Sequence, residues 1–215
     1  MAAPNTSAPG ITPPFSSAAL ALILEAEGVD QPGKWPGEQS GITLGHGYDL
    51  SAESADELRR DWTTHLGAAA VARLVAAVGK SGQAAAAIAP RFLDIKVTRA
   101  QADAVFAAVT LPKYRQCTKM AYPRFGELPL DAQGALVSLI FNRGTSMGKV
   151  NQPADWERRR EMRAIQVTLA DGVQRGDLAA IAAQLRAMKR LWTGRGMDGL
   201  ITRRENEARL VERAG

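Results

Sequence analysis

The sequence predicts an α+β fold that is mostly helical, with one small β-hairpin near the N-terminal end. Three observations lead to this prediction. Alanine is abundant and falls mainly in long helix-favouring runs. The segment 28–50 is dense in glycine and proline, and its alternation of Ile42, Leu44, His46 and Tyr48 favours a short strand or hairpin. Capping boxes at Ser54–Glu57 and Thr98–Gln101 then mark the starts of two later helices, and Gly144 marks the end of another.

The elements follow in a simple order of one helix, one small β-rich segment and a helical bundle. Residues 1–15, rich in proline, serine and alanine, are expected to form a flexible N-terminal segment, and 16–215 a single domain. The first helix runs from about Ser17 to Glu27, with Ser16 or Ser17 as its N-cap and Gly28 as its stop. Further helices are expected over 54–66, 67–78, 83–90, 98–109, 130–142, 154–171, 177–192 and 199–213.

Composition excludes several classes of site. Cys117 is the sole cysteine and there are only two histidines, which argues against a disulfide, a zinc site and most histidine-based nucleophilic triads. We therefore expect no metal and no cofactor. No apolar run reaches membrane-spanning length, so stable membrane insertion is not expected. Residues 1–17 lack the positive region of a signal peptide, so none is expected.

The chain carries a net charge of +5, which suits an anionic partner such as nucleic acid, anionic lipid or the acidic polymers of a bacterial wall. No base-reading motif accompanies the charge, so nucleic acid is not expected. The alternative is that the charge serves only solubility. The basic run 158–160 has the same two interpretations, a solvated helix face or a wall-binding surface.

Glu27 is the first candidate for chemistry. At about 100° per residue, Leu20, Ile23, Leu24 and Glu27 share one face of the first helix. A carboxyl group at the end of an apolar stripe is partly buried, and burial disfavours its charged form. Such a group can protonate a glycosidic oxygen near neutral pH. The alternative is an ordinary solvated glutamate at a helix end.

The glycine-rich segment adds two further carboxylates, Glu38 and Asp49, and the hydroxyl of Thr43. A helix that ends in a carboxylate and is followed by a hairpin with a second one is the arrangement a glycosidase needs, because two carboxyl groups flank the scissile bond. Thr43 and Asp49 are six residues apart, and even separations share one face of a regular strand. Plain hairpin turns are the alternative explanation of the glycines.

These residues resemble known wall-degrading enzymes. Glu27-Gly28 with the string Gly41–Gly45 is similar to the E-G, spacer, T-I-G-x-G pattern of phage-type lysozymes. The fuller string 35–50, ending in G-H-G-Y-D-L, resembles more closely the muramidase domain of pesticin-like toxins and related effectors. The run 158–162 also resembles that group. Residues 141–145 resemble the F-N-x-G, and 199–207 the G-L-x-x-R-R-x-x-E, of phage lysozymes, all in the family's order.

The resemblance implies a lysozyme-like fold with a small hairpin lobe and a larger helical lobe. It also implies that Glu27 is the general acid and that Thr43 holds the hydrolytic water or orients the second carboxylate. That carboxylate is Glu38 by the phage-type pattern and Asp49 by the pesticin-like G-Y-D, and we favour Asp49. Substrate contacts are expected from Glu38, His46, Tyr48, Asn142 and Arg143. The alternative role of His46 is a structural hydrogen bond, and that of Asn142 is a helix C-cap. Arg203 and Arg204 are expected to anchor the last helix through ion pairs.

The expected function is hydrolysis of the β-1,4 bond between N-acetylmuramic acid and N-acetylglucosamine in peptidoglycan, with inversion by resemblance to phage lysozymes. The two alternatives are an inactive peptidoglycan-binding module and a lytic transglycosylase. We expect a monomer that reaches the wall or periplasm through a secretion system or phage-type release. The bacteriolytic role leaves room for a cognate immunity protein.

Overall fold

The computed structural model of the protein describes residues 16–25, 28–171, 173–174 and 176–215. Over these residues the chain is mostly helical with one small antiparallel hairpin, which confirms the α+β, mostly α, prediction. Glu27 lies outside the described residues. The helices are α1 (Ser17–Glu25), α2 (Ala55–Leu66), α3 (Ala68–Leu74), α4 (Gly82–Ile88), α5 (Arg99–Val105), α6 (Leu111–Ala121), α7 (Leu130–Arg143), α8 (Pro153–Arg158), α9 (Arg160–Thr168), α10 (Asp177–Ala187) and α11 (Asp198–Glu212).

The chain forms two compact units, and the division falls inside α1. The first unit comprises the chain up to Leu22 together with Tyr122–Gly215, and the second comprises Ile23–Ala121. The expectation of one domain over 16–215 stays a prediction. At the start of α1, the Ser16 hydroxyl accepts the N–H of Ala19 at 3.1 Å, which makes Ser16 the N-cap.

The second unit contains the predicted hairpin. Strand β1 (Thr43–Leu44) pairs antiparallel with β2 (Tyr48–Asp49), so that Thr43 is opposite Asp49 and Leu44 is opposite Tyr48. Isolated bridges join Gly45 to Asp30 and Gly41 to Ser81. The apolar side chains of this segment enter a core with α2, α3 and α5 that includes Ile42, Leu44, Leu50, Leu58, Trp62 and Val105.

Two helix starts in this unit confirm the capping predictions. Ser54 and Glu57 form a complete capping box at α2, and Thr98 and Gln101 form one at α5. The helices expected over 67–78 and 83–90 each end in a 3₁₀ turn, at 75–77 and 89–92.

The helix expected to end near 109 continues instead. A π-helical turn, Phe106–Thr110, joins α5 to α6, and its wide bond runs from the N–H of Leu111 to the carbonyl of Phe106. Pro112 explains the widening, because its ring has no N–H and clashes with the carbonyl four residues earlier in a regular helix. Helix α6 was not predicted, because a proline ordinarily indicates the end of a helix.

The first unit packs α7, α9, α10 and α11 around buried aliphatic side chains such as Leu136, Ile140, Ile165, Leu185 and Val211. Helix α7 ends with Gly144 as its C-cap, as predicted. The single helix expected over 154–171 is broken at Arg159, whose guanidinium donates to the carbonyl of Arg143 at 2.5 Å and so satisfies the last turn of α7. No described helix is long and apolar enough to span a membrane.

Candidate functional site

The hairpin places Thr43 and Asp49 side by side. They are cross-strand partners, and partners in an antiparallel pair direct their side chains to the same face. The shared face was expected from six-residue spacing along one strand. Its cause is different: the chain reverses at Gly45 and Gly47, both with positive φ (58° and 73°), so the two residues meet across the ladder.

The carboxylate of Asp49 is held by two backbone amides. Its Oδ2 accepts the N–H of Gly41 at 3.1 Å, and its Oδ1 accepts the N–H of Ser51 at 2.8 Å. The approach to Gly41 requires a glycine, since a Cβ there would lie 2.2 Å from Oδ1. Each oxygen keeps a further lone pair, so the group is oriented but still able to accept a proton.

Thr43 is nearly buried, at 6% exposure. Its hydroxyl is 3.4 Å from the carbonyl oxygen of Gly41, which is a long hydrogen bond. The hydroxyl is thus only weakly engaged by the protein. It lies on the face that carries the Asp49 carboxylate, although Thr43 is not among the residues that line the pocket beside Asp49.

A pocket of about 130 Å³ adjoins Asp49 within the second unit. One wall is the end of the hairpin, and the other is the π turn and the start of α6. Glu53 and Lys113 face each other there as an ion pair at 2.5 Å. Burial raises the pKa of Tyr114, so its phenol keeps its proton at neutral pH. The lining residues are Gly47, Tyr48, Asp49, Ala52, Glu53, Val109, Thr110, Lys113 and Tyr114.

The residues that complete this pocket were not predicted from the sequence. Thr110 ends the π turn, and Lys113 and Tyr114 lie in α6, which was not predicted. All three are about sixty residues from the hairpin. The sequence contains one signal for this pocket: Glu53 follows Asp49 by four residues, which could have indicated that the polar face of the hairpin extends further.

Glu38, the competing second carboxylate, lies in the turn before the hairpin. Its side chain is exposed, and its backbone is left-handed with φ 51°, a conformation rare for a residue with a side chain. The N–H of Ser40 donates to the carbonyl of Gly37 across this turn at 3.1 Å. Glu38 does not belong to the residues that line the pocket beside Asp49.

His46 and Tyr48, expected to contact substrate, are occupied by the protein. The His46 ring lies 2.9 Å from the carbonyl oxygen of Gly28 and 2.8 Å from Oδ1 of Asp103. These contacts are the structural hydrogen bonds of the alternative interpretation, and a substrate contact from His46 stays a prediction. Tyr48 is 3% exposed and its hydroxyl donates to Asp61 at 2.9 Å, so its ring belongs to the core, while part of the residue lines the pocket.

The segment 28–31 is attached to the hairpin turn and to the core of the second unit. Asp30 exchanges two backbone hydrogen bonds with Gly45, at 2.7 and 2.9 Å. The side-chain amide of Gln31 makes two hydrogen bonds to the backbone of Val97, at 2.8 and 2.9 Å. The chain that directly follows Glu27 is therefore fixed to the loop that joins Thr43 to Asp49.

Asn142 and Arg143 belong to the first unit, at the end of α7. Asn142 is not the C-cap, because Gly144 takes that place. Burial and the neighbouring Arg159 lower the pKa of Arg143 to about 10. The Arg143 guanidinium donates to the carbonyl of Arg158 at 2.6 Å and lies 5.3 Å from the ring of Trp192. A substrate contact from either residue stays a prediction.

The arginines of the 199–207 motif stabilise α11, as expected. Glu207 is fully buried and pairs with Arg204 at 2.6 Å and with Arg203 at 3.5 Å. Ser138 of α7 donates to Glu207 at 2.6 Å and accepts from Arg203 at 3.0 Å. The motif thus forms a buried charged network that joins α11 to α7.

Part of the chain matches a known family model. Residues 26–124 match the model of a family described as a domain of unknown function, DUF8812. No curated protein matches the sequence. The matched residues follow nearly the same bounds as the second unit, Ile23–Ala121, so they include the hairpin and the Asp49 pocket. They end before the motifs at 141–145 and 199–207.

Proposed function

We propose that this protein is a muramidase with a lysozyme-like fold that hydrolyses the β-1,4 bond between N-acetylmuramic acid and N-acetylglucosamine in peptidoglycan. The observation that carries the proposal is the pairing of Thr43 with Asp49, whose carboxylate two backbone amides hold beside a pocket. The order of the lysozyme-like motifs along the chain supports it.

In the proposed reaction Glu27 is the general acid. It donates its proton to the glycosidic oxygen as the bond to the anomeric carbon breaks. Asp49 accepts a proton from a water, and the resulting hydroxide adds to the same carbon. The products are a reducing N-acetylmuramic acid end and a free hydroxyl on N-acetylglucosamine. No metal or cofactor enters this scheme.

The proposed mechanism is inverting, by resemblance to phage lysozymes. An inverting enzyme needs space for a water between its base and the sugar, with carboxyl groups roughly 6.5–9.5 Å apart. The pocket of about 130 Å³ beside Asp49 exceeds the roughly 30 Å³ that one water occupies in the liquid. Thr43, on the same face as Asp49, supplies a hydroxyl to orient that water.

The positive charge of the chain suits the anionic polymers of the wall. The proposed role is bacteriolytic, as a phage-type endolysin or as a toxin delivered by a secretion system to a rival's periplasm. A cognate immunity protein in the producing cell belongs to the second role.

The test is digestion of purified peptidoglycan. Wild-type protein is expected to release muropeptides whose muramic acid ends are reducible by borohydride. Glu27→Gln should lose nearly all activity, while Glu25→Gln, an exposed glutamate of α1, should retain it.

Three outcomes would contradict the proposal. Anhydro-muramic products would identify a lytic transglycosylase. Sedimentation with the wall and no release of reducing ends would identify a binding module. Comparable rates for Glu27→Gln and wild type, both folded, would remove Glu27 from the reaction.

A further inference from the structure

We infer that His46 is a positioning residue of this site: as an imidazolium it ties the carbonyl of Gly28, the residue after Glu27, to Asp103 of α5. The inference rests on the proposed function for its catalytic consequence. The hydrogen-bond arrangement itself is independent of that function.

Both ring nitrogens of His46 lie beside acceptor atoms of the protein. The His46 side chain is fully buried, with Nδ1 2.9 Å from the Gly28 oxygen and Nε2 2.8 Å from the Asp103 carboxylate. The ring of Phe106 packs edge-on at 5.8 Å and blocks rotation on one side. Two protein acceptors therefore occupy both nitrogens at once.

Both partners are acceptors only. A backbone carbonyl and a carboxylate have no proton to donate, and a neutral imidazole carries one N–H. Only the imidazolium can donate to both. Loss of one proton leaves either Gly28 or Asp103 facing a ring lone pair, and the bond to that acceptor is lost.

Charged groups lie on both sides of the turn that carries the ring. Asp103 accepts from Arg99 at 3.1 Å, so it is itself held in place on α5. Asp30, bridged to Gly45, lies on the other side of the turn, and its carboxyl accepts the N–H of Gly47. Lys34 is the cation near Asp30. Each of the two carboxyl groups thus has a cation beside it.

His46 helps to hold the hairpin turn against the segment that follows Glu27. The turn 45–47 connects Thr43 to Asp49, and the segment 28–31 follows Glu27. The side chain of His46 joins the turn to that segment through its hydrogen bond to the carbonyl of Gly28. This bond adds to the two backbone hydrogen bonds between Asp30 and Gly45. Deprotonation of His46 loosens this attachment and lowers the fraction of sites in which acid and base are aligned.

The test uses Asp103→Asn. An asparagine amide can donate to Nε2 of a neutral ring while Nδ1–H still donates to Gly28, so the attachment no longer requires the imidazolium. We expect the ratio of kcat, variant to wild type, to rise at least about threefold towards alkaline pH, with KM changed little. Asp56→Asn, which removes an exposed carboxylate paired with Arg59, is the control and should give a flat ratio.

A spectroscopic arm separates this inference from the proposed function. Two-bond ¹H–¹⁵N spectra report which ring nitrogens carry protons, and His65→Gln assigns the His46 signals because the chain has two histidines. We expect two N–H protons on His46 in the wild type and a single Nδ1–H form in Asp103→Asn at alkaline pH.

A flat kcat ratio for Asp103→Asn, or a singly protonated His46 in the wild type over the whole active range, would overturn the inference. If the wild type does not hydrolyse peptidoglycan at all, the proposed function fails, and the spectra still decide whether His46 makes both bonds.

Discussion

Asp49→Asn, measured against Glu38→Gln, is the most informative perturbation of the site. Asp49 accepts one amide N–H on each oxygen, whereas asparagine has only one acceptor atom. Its NH₂ group must face the N–H of either Gly41 or Ser51. The cost of one unsatisfied, partly buried donor is about 1–3 kcal/mol.

The two variants should therefore differ in stability as well as in activity. For a chain of this size about 1 kcal/mol lowers Tm by roughly 2–4 °C, so Asp49→Asn should melt a few degrees below the wild type. Loss of the general base should lower kcat by roughly 10²–10⁴-fold. Glu38 is exposed, so Glu38→Gln should change stability by less than about 0.5 kcal/mol.

The assay is release of reducing ends from one peptidoglycan preparation, at a temperature below the melting transition of every variant. Circular dichroism of each variant gives Tm and confirms folding. If Glu38→Gln is inactive while Asp49→Asn keeps most of its activity, with both folded, Asp49 is not the base and the phage-type arrangement holds.

Two further perturbations follow from close contacts. Gly41→Ala should displace the Asp49 carboxylate, because the new Cβ would lie 2.2 Å from its Oδ1, and kcat should fall although Asp49 is present. The control is Gly126→Ala, where a Cβ meets no atom within 4 Å. Equal activity of the two variants would argue against the need for a fixed carboxylate. Ser138→Ala removes the hydroxyl bond to buried Glu207, so urea denaturation should show a loss of about 2–3 kcal/mol. A loss below about 1 kcal/mol would mean that water replaces the hydroxyl.

Local signals were sufficient for much of the fold. The capping boxes at Ser54 and Thr98 and the stop at Gly144 were correct, because each depends on residues within one helical turn. The π turn and α6 were missed, since Pro112 ordinarily indicates the end of a helix. The break at Arg159 was not expected, and the hydrogen bond from its side chain to the carbonyl of Arg143 joins two segments that no local pattern connects.

The candidate site likewise combines features that the local sequence predicts with features that depend on distant residues. The common face of Thr43 and Asp49 was expected from alternation, yet its true origin is a reversal of the chain between them. The bonds from His46 to Asp103 and from Glu53 to Lys113 span 57 and 60 residues, and pairings of that range cannot be derived from spacing. The roles assigned to the eight candidate residues stay predictions.

The π turn at Phe106–Thr110 has a consequence for tolerance to deletions. A wide turn of this kind contains one residue more than a regular helix needs. The wide turn completes about one revolution, as a regular turn does with one residue less, so removal of one residue from 107–109 would restore regular winding with α6 in nearly its present orientation. The cost would fall on Pro112, whose ring would then meet the carbonyl four residues earlier. The wide turn thus lets the helix continue through Pro112 while Lys113 and Tyr114 still line the Asp49 pocket.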